Sequence, residues 1–461
     1  MTAGPLRVAI VGAGPSGFYA AEYIQRHADP VEIDLIDRLP TPFGLVRGGV
    51  APDHPKIKAV TRVYEKSAAH PSFRFLGNVT VGRDLTVEEL RRHYHAVIWA
   101  VGAETDRQLG IPGEGLTGSH AATEFVGWYN GHPDYRDRVF DLTQESAAVI
   151  GLGNVAMDVT RILASSPEEL ASTDIAPYAL EALRASRVRT IYLLGRRGPV
   201  QAAFTNPELK ELGELGVTDI QIDPVELELD PASAAELVDG EHREAEKNLH
   251  TMREFAARPL GGKPRRIILR FLVSPTAIEG AGCVERIVLG RNRLERDARG
   301  TIQAQPTGET ESVPVGLVFR SVGYRGVAIP GLPFDERRGI IPNEAGRVLD
   351  APGGAVLPGA YAVGWIKRGP TGVIGTNKPD AGETAERLLE DWQAGHLPAA
   401  EADRDAILRL LADRGIETVS WADWRALDAH EVAAGSTYGA PRCKVTDVAE
   451  MLAIVRKARS G

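Results

Sequence analysis

Short apolar runs alternate with helical stretches along the chain, and this alternation predicts the fold. The first run, Leu6–Val11, is rich in β-branched residues, as is typical of a buried parallel strand. A turn and a helical stretch over 18–27 follow it, and a second apolar run over 31–36 completes a strand–helix–strand unit. A similar unit begins at residue 147, with a helix to about residue 164 and a strand over 190–194. The pattern therefore predicts an α/β protein with two Rossmann-like dinucleotide-binding domains.

The order of these patterns predicts a first domain that is interrupted by a second. A polar crossover over 106–146 separates the two units, and another apolar run that ends in glycine lies at 360–364. We expect residues 1–105 to form the first part of one domain and residues 106–325 to form the inserted domain. Residues 326–461 would return to the first domain and end in a helical tail. No sharp motif follows residue 399, so we expect the tail to add little.

Finer features follow from the same patterns. We expect a helix over 57–69, a strand pair over 73–81 and one continuous strand over 267–273. The charged stretch 217–262 is interpreted as largely helical surface, with its clearest helix over 241–257. In the tail, an amphipathic helix is expected over 445–459, and the two tryptophans of this region are expected to pack.

A glycine-rich loop joins the first strand to its helix and indicates nucleotide binding. It reads Gly12-Ala13-Gly14-Pro15-Ser16-Gly17. Gly12 permits the tight turn, Gly14 lets the backbone approach a pyrophosphate, and Gly17 lets the helix pack closely against the strand. Asp37 ends the second strand and can accept hydrogen bonds from a ribose. An ordinary strand–helix–strand unit is the alternative, but the acid at this spacing favours a dinucleotide site.

The second unit contains a variant of the same loop. It reads Gly151-Leu152-Gly153-Asn154-Val155-Ala156-Met157, and its alanine is small enough to replace the third glycine. The strand that follows ends near Arg196 and Arg197 instead of an acid. Paired guanidinium hydrogen bonds suit the 2′-phosphate of NADP, whereas an acid suits a free 2′-hydroxyl. A solvated arginine pair remains the alternative interpretation.

Two dinucleotide folds in one chain predict two dinucleotides that face each other. The simplest arrangement has a flavin held permanently by the first fold and a nicotinamide nucleotide that visits the second. Hydride would then pass from the nicotinamide to the flavin. The residue types do not name the final electron acceptor.

Composition narrows the class of protein. The chain has 461 residues, of which 43% are hydrophobic, and this is enough for the cores of two or three domains. A formal net charge of -9 argues against general nucleic-acid binding. Cys283 and Cys443 form no C-x-x-C pattern, so they supply neither iron–sulfur ligands nor a redox dithiol, and we expect no metal site. We expect a cytoplasmic protein without a membrane span or a targeting segment.

A longer motif lies in the loop after the second strand. It reads Pro40-Thr41-Pro42-Phe43-Gly44-Leu45-Val46-Arg47-Gly48-Gly49-Val50-Ala51-Pro52-Asp53-His54-Pro55-Lys56-Ile57-Lys58. This stretch resembles the signature of ferredoxin-NADP reductases of the adrenodoxin-reductase type, which belong to the glutathione-reductase-like flavoproteins. Segments 125–129, 195–199, 320–324 and 364–372 are similar to that family as well. The resemblance therefore covers the chain from about residue 7 to about residue 390.

The resemblance implies two nucleotides and a set of contact residues. FAD would occupy the first fold, NADPH would bind to the second, and single electrons would pass to an iron–sulfur ferredoxin. The residues implied to contact FAD are Ser16, Asp37, Leu45, Val81, Trp365, Gly372, Val373 and Ile374. Those implied to contact NADP are Arg107, Asn154, Val155, Ala156, Met157, Arg196, Arg197 and Glu208, with Gly372 reaching the nicotinamide.

His54 and Glu211 match the pair that this family places beside the reacting rings. Hydride transfer needs no general acid on the nicotinamide, so these two catalytic candidates would orient the rings and tune the local charge. The alternative interpretation of His54 is a loop histidine that is fixed between two prolines.

Because the chain lacks cysteine ligands for a cluster, the predicted partner is a small acidic iron–sulfur ferredoxin that docks transiently by charge. The candidate docking residues are Lys263, Arg265, Arg266, Arg270, Lys367 and Arg368. A basic cluster of this kind is also typical of a solvated strand edge. Two other functions stay open at this point: an NADPH-dependent quinone reductase or diaphorase, and a nucleotide-binding redox sensor.

Overall fold

The computed structural model describes residues 4–238, 242–298, 300–401 and 403–460. Its strands are β1 (Leu6–Val11), β2 (Val31–Ile36), β3 (Phe73–Leu76), β4 (Ala96–Trp99), β5 (Thr105–Asp106), β6 (Ser119–Ala121), β7 (Ser146–Ile150), β8 (Thr190–Leu194), β9 (Thr218–Ile222), β10 (Arg265–Arg270), β11 (Val273–Glu279), β12 (Arg286–Arg296), β13 (Ile302–Pro314), β14 (Leu317–Arg320), β15 (Tyr324–Arg325), β16 (Asn343–Glu344), β17 (Arg347–Leu349) and β18 (Val356–Ala362).

The helices are α1 (Pro15–His27), α2 (Leu45–Gly48), α3 (Pro55–Lys58), α4 (Thr61–Ala68), α5 (Val87–His93), α6 (Ala122–Tyr129), α7 (Asn154–Ala164), α8 (Pro167–Ala171), α9 (Pro177–Arg184), α10 (Asn206–Leu212), α11 (Pro231–Val238), α12 (Arg243–Ala257), α13 (Trp365–Arg368), α14 (Asn377–Gln393), α15 (Ala406–Asp413), α16 (Trp421–Ser436) and α17 (Val448–Ser460). Short 3-10 turns lie at Pro133–Tyr135, Pro199–Gln201, Pro224–Leu227 and Ile374–Thr376. Within the described ranges, no helix is long and apolar enough to cross a membrane.

A seven-stranded sheet forms the first lobe, which we define as this sheet together with the segments packed on it. Its strand order is β16-β17-β18-β4-β1-β2-β3, and the five strands from β18 to β3 run parallel. Five of the six residues in each of β1 and β2 are buried, because the sheet is covered on both of its faces. Helix α1 packs against α14 on one face of the sheet. The later part of the chain therefore returns to the sheet that begins with β1.

A six-stranded parallel sheet forms the second lobe, defined in the same way. Its strand order is β6-β14-β7-β8-β10-β9. An antiparallel sheet of β11, β12 and β13 lies beside it, and a two-stranded ribbon of β5 and β15 lies where the chain passes between the lobes. The predicted α/β fold with two dinucleotide-binding units is confirmed. The domain boundaries after residues 105 and 325 stay a prediction.

Several predicted elements are wrong in detail. The helix expected over 57–69 is broken into α3 and α4, and the strand pair expected over 73–81 contains only β3. After β3 the backbone turns at Asn78, whose φ of 61° ends the extended conformation. The strand expected over 267–273 is likewise divided into β10 and β11, because Leu272 adopts a φ of 55°.

Strands β9 and β13 were missed because they carry few apolar residues. Strand β9 lies inside the stretch that was interpreted as helical surface, and it pairs at the edge of the second sheet. Strand β13 is long and mostly exposed, so its stability comes from pairing with β12 and not from an apolar face. Helix α12 is present, but residue 241 of its predicted range lies outside the described residues.

The tail packs more tightly on the first lobe than the sequence indicated. Trp424 is buried, and both Trp421 and Trp424 meet the ring of Phe43 edge-on at centroid distances of 6.1 and 5.7 Å. Glu431 on α16 is fully buried and accepts two hydrogen bonds from the Arg47 guanidinium. The tail therefore holds the loop that carries the long motif, although it adds no sharp motif of its own.

Candidate functional site

The first glycine-rich loop has the geometry that a bound pyrophosphate requires. Gly12 has a φ of 107°, and a Cβ at this position would collide with the carbonyl oxygen of Ala100. A Cβ at Gly17 would collide with the carbonyl oxygen of Gly12, so the helix can approach the strand only with glycine here. In contrast, a Cβ at Gly14 would meet nothing within 4 Å. Gly14 therefore leaves its backbone open, and Pro15 and Ser16 begin α1 immediately beyond it.

Asp37 ties the end of β2 to this loop. Its carboxylate accepts hydrogen bonds from the backbone N–H groups of Ala13 at 2.7 Å and of Leu39 at 2.9 Å. Burial raises the pKa of Asp37, although both backbone bonds act in the opposite direction. Contact of Asp37 with a ribose stays a prediction, and the structure places the carboxylate beside the loop where that contact would occur.

The returning part of the first lobe closes over the same loop. Gly364 has a φ of 74°, and a Cβ there would collide with the hydroxyl of Ser16. The Ser16 hydroxyl donates to the Asn377 side chain at 3.1 Å, and the Gly364 N–H donates to the Asp380 carboxylate at 2.6 Å. The first bond joins α1 to the start of α14, and the second joins the residue before α13 to the same helix. The loop and the returning segment therefore form one cradle.

The remaining predicted flavin contacts lie around this cradle. Leu45 is exposed at the start of α2, and Val81 lies in a turn that bridges to Leu85. The indole N–H of Trp365 donates to the carbonyl of Thr371 at 3.2 Å. Gly372, Val373 and Ile374 follow in the loop that leads to α14, and the side chain of Val373 is 55% exposed.

The second glycine-rich loop repeats the first. Gly151 has a φ of 129°, and a Cβ there would collide with the carbonyl oxygen of Ser321, whereas a Cβ at Gly153 would meet nothing within 4 Å. Asn154 begins α7, and its side-chain oxygen accepts from the backbone N–H of Thr205 at 2.9 Å. Val155, Ala156 and Met157 continue the first turn of α7, and the last two are buried.

The predicted phosphate-binding arginines lie at the end of β8. Arg196 is exposed, and Arg197 is half-buried with one bond of 3.4 Å from its guanidinium to the Gln201 carbonyl. Burial, followed by the charge of Arg196, lowers the pKa of Arg197. Arg107 is also exposed, near the ribbon between the lobes, where its backbone N–H donates to Gly323. All three side chains are accessible to an anionic ligand.

His54 and Glu211 come together across the two lobes. His54 precedes α3 in the first lobe and is buried, while Glu211 lies on α10 in the second lobe. The His54 Nε2 lies 2.8 Å from a Glu211 carboxylate oxygen and 3.9 Å from Glu208. The structure therefore brings together His54 and Glu211, which are 157 positions apart in sequence, with Glu208 beside them.

Three further charged residues complete this group, and the sequence analysis missed them. Arg161 on α7 is 3% exposed, and its guanidinium donates to Asp53 at 2.6 and 3.0 Å. It also donates to Asp158 at 2.7 Å and to Glu208 at 3.1 Å. We call Asp53, His54, Asp158, Arg161, Glu208 and Glu211 the carboxylate cluster. Asp53 lies inside the long motif, but no signal in the sequence paired it with Arg161.

The carboxylate cluster contains four carboxyl groups, one guanidinium and one imidazole, and the pKa of three of the carboxyl groups is shifted. Burial, followed by the nearby Asp158 carboxylate, raises the pKa of Glu208 to about 7. Burial also raises the pKa of Asp158. Burial opposes the ionisation of Asp53 as well, but the two bonds from Arg161 outweigh it and lower the pKa of Asp53.

Ligand atoms of His54, Glu208 and Glu211 lie within 4.8 Å of one another, close enough for a cation. However, the Arg161 guanidinium lies 3.1 Å from Glu208 and 3.5 Å from Glu211, and its charge disfavours a metal ion there. The expected absence of a metal site stays a prediction.

A second charged group also joins the lobes. Asp174 of the second lobe pairs with Lys58 at 2.5 Å and with Lys444 of the tail at 3.1 Å, and Lys444 also donates to the Asn130 carbonyl at 3.0 Å. Burial lowers the pKa of Lys444 to about 7, although Asp174 acts in the opposite direction. We call Lys58, Asn130, Asp174 and Lys444 the lysine cluster.

The predicted docking face is wrong because its central members are not free. Arg265 is buried and donates to the carbonyl oxygens of Leu163 and Ser165, and Lys367 is buried and pairs with Glu383 at 2.6 Å. Arg270 pairs with Glu226 at 2.8 Å and with Glu311 at 2.6 Å. The other members are Lys263, which donates to the Leu215 carbonyl, Arg266, which reaches Gln221, and Arg368, which pairs with Asp380. These six side chains do not form one exposed basic surface.

Comparison with known proteins relates the whole chain to one group. Residues 6–196 match the family described as "Pyridine nucleotide-disulphide oxidoreductase". The chain is 48% identical over 462 residues to the "NADPH-ferredoxin reductase FprA" of Mycobacterium tuberculosis, covering 98% of this chain and 99% of that protein. It is 43% identical over 466 residues to the mitochondrial "NADPH:adrenodoxin oxidoreductase" of Bos taurus, covering 97% of this chain and 92% of that protein.

A solved structure is similar over the same length. It is described as "Mycobacterium tuberculosis FprA in complex with NADPH", and it superimposes with a TM-score of 0.93 at 47% identity. The match covers 98% of this chain and 100% of that chain. The similarity therefore includes the two lobes and most of the tail.

Proposed function

The chain belongs to the ferredoxin-NADP reductases of the adrenodoxin-reductase type, and from this premise we propose that it is an FAD-dependent NADPH-ferredoxin reductase. The observation that carries the proposal is the meeting of the two nucleotide folds at His54 and Glu211, which lie 2.8 Å apart although they come from different lobes. Transfer of hydride between two bound nucleotides needs such a meeting point, because the reacting atoms must be held in contact.

The residues of the first lobe fit FAD. The open backbone at Gly14 and the start of α1 offer N–H groups to a pyrophosphate, and Ser16 and Asp37 lie beside it. Leu45, Val81, Trp365 and the loop from Gly372 to Ile374 would enclose the rest of the cofactor. When bound, FAD supplies the ability to accept two electrons as hydride and to release them singly.

The second lobe would bind NADPH. Asn154 to Met157 open α7 and would hold the pyrophosphate at the helix N-terminus. Arg196 and Arg197 would bind the 2′-phosphate through charged hydrogen bonds, and Arg107 would add a third cation. Glu208 lies in the carboxylate cluster, where we expect the nicotinamide to meet the flavin.

His54 and Glu211 would orient the nicotinamide and set the charge around it. The nicotinamide ring becomes positively charged as hydride leaves NADPH, so an ionised carboxylate of the cluster beside the ring would favour the products of that step. The side chains need to transfer no proton to the nicotinamide. Their contribution is orientation and electrostatic stabilisation.

The electron acceptor is a ferredoxin, and we propose that its iron–sulfur centre receives single electrons. The two cysteines of this chain are both unpaired, and neither belongs to a ligand set for a cluster. An acidic ferredoxin that docks transiently would be steered by charge, and its rate of reduction would fall as salt increases. We also propose a cytoplasmic location, which unpaired cysteines favour.

Steady-state turnover with two acceptors tests this function. The FAD-loaded protein is given NADPH and either a ferredoxin from the same source or a soluble quinone at equal concentration. We expect faster turnover with the ferredoxin, and faster turnover with NADPH than with NADH. A quinone that turns over as fast as the ferredoxin would favour the quinone-reductase alternative. A flavin that NADPH does not reduce would favour the redox sensor.

A further inference from the structure

Arg161 is the residue through which the second lobe holds the first at the carboxylate cluster. Its guanidinium makes a two-pronged bond to Asp53 of the first lobe, with Nε at 2.6 Å and Nη2 at 3.0 Å from the two carboxylate oxygens. Bidentate pairs of this kind fix both distance and orientation. Because Arg161 is 3% exposed, water does not weaken the pair as it would at the surface.

The same guanidinium also positions the second-lobe side of the cluster. It donates to Asp158 one turn earlier on its own helix and to Glu208 on α10. Glu208 and Glu211 are three residues apart on α10, so they share one face of that helix. A bond that holds Glu208 therefore also constrains the face that presents Glu211.

Asp53 transmits this constraint to His54, its neighbour in sequence. His54 precedes α3, and its backbone carbonyl accepts from the N–H groups of Ile57 and Lys58. With Asp53 fixed on one side and α3 on the other, the imidazole has little freedom to leave Glu211. Both members of the His54–Glu211 pair thus depend on one arginine.

We propose that Arg161 is a positioning residue for hydride transfer, which acts by fixing His54 and Glu211 against each other across the lobe boundary. The role rests on the proposed function, because it concerns the step in which NADPH reduces the flavin. Arg161 would contribute little to the affinity for the nucleotide itself. It would instead set the geometry in which the two rings meet.

Three single variants of the FAD-loaded protein, and the double variant that combines the first two, test the proposal. Arg161→Lys keeps a cation but loses the two-pronged bond, and Asp53→Asn removes the charge that this bond engages. Arg347→Lys is the matched control, because Arg347 forms an equivalent two-pronged bond to Asp391 at 2.8 and 2.9 Å that stays within the first lobe. The rate of flavin reduction by NADPH is measured by rapid mixing, and the Kd for NADP+ is measured separately by calorimetry.

We expect Arg161→Lys and Asp53→Asn each to reduce the flavin at least about tenfold more slowly, since small displacements of reacting groups cost this much or more. The Kd for NADP+ should change by less than about threefold in both, because a positioning role affects the rate and not the binding. The double variant should be no slower than the slower single variant, since both changes break one interaction. The control should match the wild type.

The proposal is overturned if both variants reduce the flavin within about twofold of the wild type, or if their losses multiply in the double variant. It is also overturned if the Kd for NADP+ weakens as much as the rate falls. If Arg161→Lys does not retain FAD, Asp53→Asn decides the matter alone, because Asp53 lies in a loop. A wild-type flavin that NADPH does not reduce would instead refute the proposed function.

Discussion

The two glycine-rich loops have nearly the same backbone but different surroundings. In the first, the end of β2 is closed by Asp37, whose carboxylate is already bonded to two backbone N–H groups, and Gly364 lies against Ser16. In the second, the end of β8 carries Arg196, which is exposed. We infer that a strand–helix–strand unit can hold a permanent cofactor where the rest of the lobe covers its glycine-rich loop. The same unit can hold an exchangeable cofactor where the loop stays open.

The largest effect on nucleotide affinity should come from the second glycine-rich loop, which stays open. Replacing both Arg196 and Arg197 with Ala should weaken the binding of NADPH by about 3 to 6 kcal/mol, since each lost charged hydrogen bond costs about 1.5 to 3 kcal/mol. NADH lacks the 2′-phosphate and should be affected much less. The measurement is kcat/KM for each nucleotide with ferredoxin as acceptor. Equal losses for NADPH and NADH would contradict the assignment of these arginines.

Substitution of the second glycine in each loop tests the two nucleotide sites separately and disturbs the fold least. Gly14→Ala and Gly153→Ala each add a methyl group that meets no protein atom within 4 Å, at backbone angles that alanine accepts. Each substitution should therefore weaken the binding of only the nucleotide at its own loop, by about 1 to 3 kcal/mol, because the methyl group occupies space that the pyrophosphate needs. Gly14→Ala should release FAD more easily, and Gly153→Ala should raise the Kd for NADP+.

Gly12→Ala provides the control for this pair, since its methyl group would collide with the Ala100 carbonyl at a φ of 107°. It should lower the thermal unfolding midpoint of the flavin-free protein, whereas Gly14→Ala should leave that midpoint unchanged. A loss of both nucleotides in either single variant would show that the two sites are not independent.

The smallest effect concerns pH and distinguishes the two sides of the carboxylate cluster. Glu208 of the second lobe has its pKa raised from 4.5 to about 7, so the folded protein holds this proton more tightly than the unfolded chain does. Its contribution to stability is complete below about pH 4.5 and is lost as the pH rises through about 7. Relative to Glu208→Gln, the wild type should therefore lose stability steadily as the pH rises over that range.

The check is the difference between the thermal unfolding midpoints of wild type and Glu208→Gln, recorded across this pH range. Asp53 on the first-lobe side has a lowered pKa, so its contribution should be lost in the opposite direction, as the pH falls. A midpoint difference for Glu208 that does not depend on pH would contradict the electrostatic description of the cluster.

Local patterns were enough to predict both nucleotide loops. The strands β1, β2 and β8 were predicted with their observed bounds, because buried parallel strands are rich in apolar residues. The turns themselves place Gly12 and Gly151 at φ values of 107° and 129°, and a Cβ at Gly17 would collide with the carbonyl oxygen of Gly12. Features of this kind are set by neighbours in sequence, so a sequence reader can find them.

Contacts between distant segments were not predictable in the same way. The pairing of Asp53 with Arg161 spans 108 positions. Asp174 pairs with Lys444, which lies in the tail, and no role was predicted for the tail. Arg265 illustrates the same limit. It is buried and donates to backbone carbonyls, but the sequence alone does not distinguish it from an arginine that is exposed to solvent. Charge can be counted from the sequence, but its partners follow only from the fold.

Anaerobic rapid mixing tests the central claim most directly. The flavin-loaded protein is mixed with NADPH, then with oxidised ferredoxin, while the absorbance of the flavin and of the iron–sulfur centre is recorded. The account predicts fast bleaching of the flavin by NADPH, slow bleaching by NADH, and return of the flavin absorbance as the ferredoxin is reduced. Bleaching that is equally fast with NADH, or a bleached flavin that leaves the ferredoxin oxidised, would contradict it.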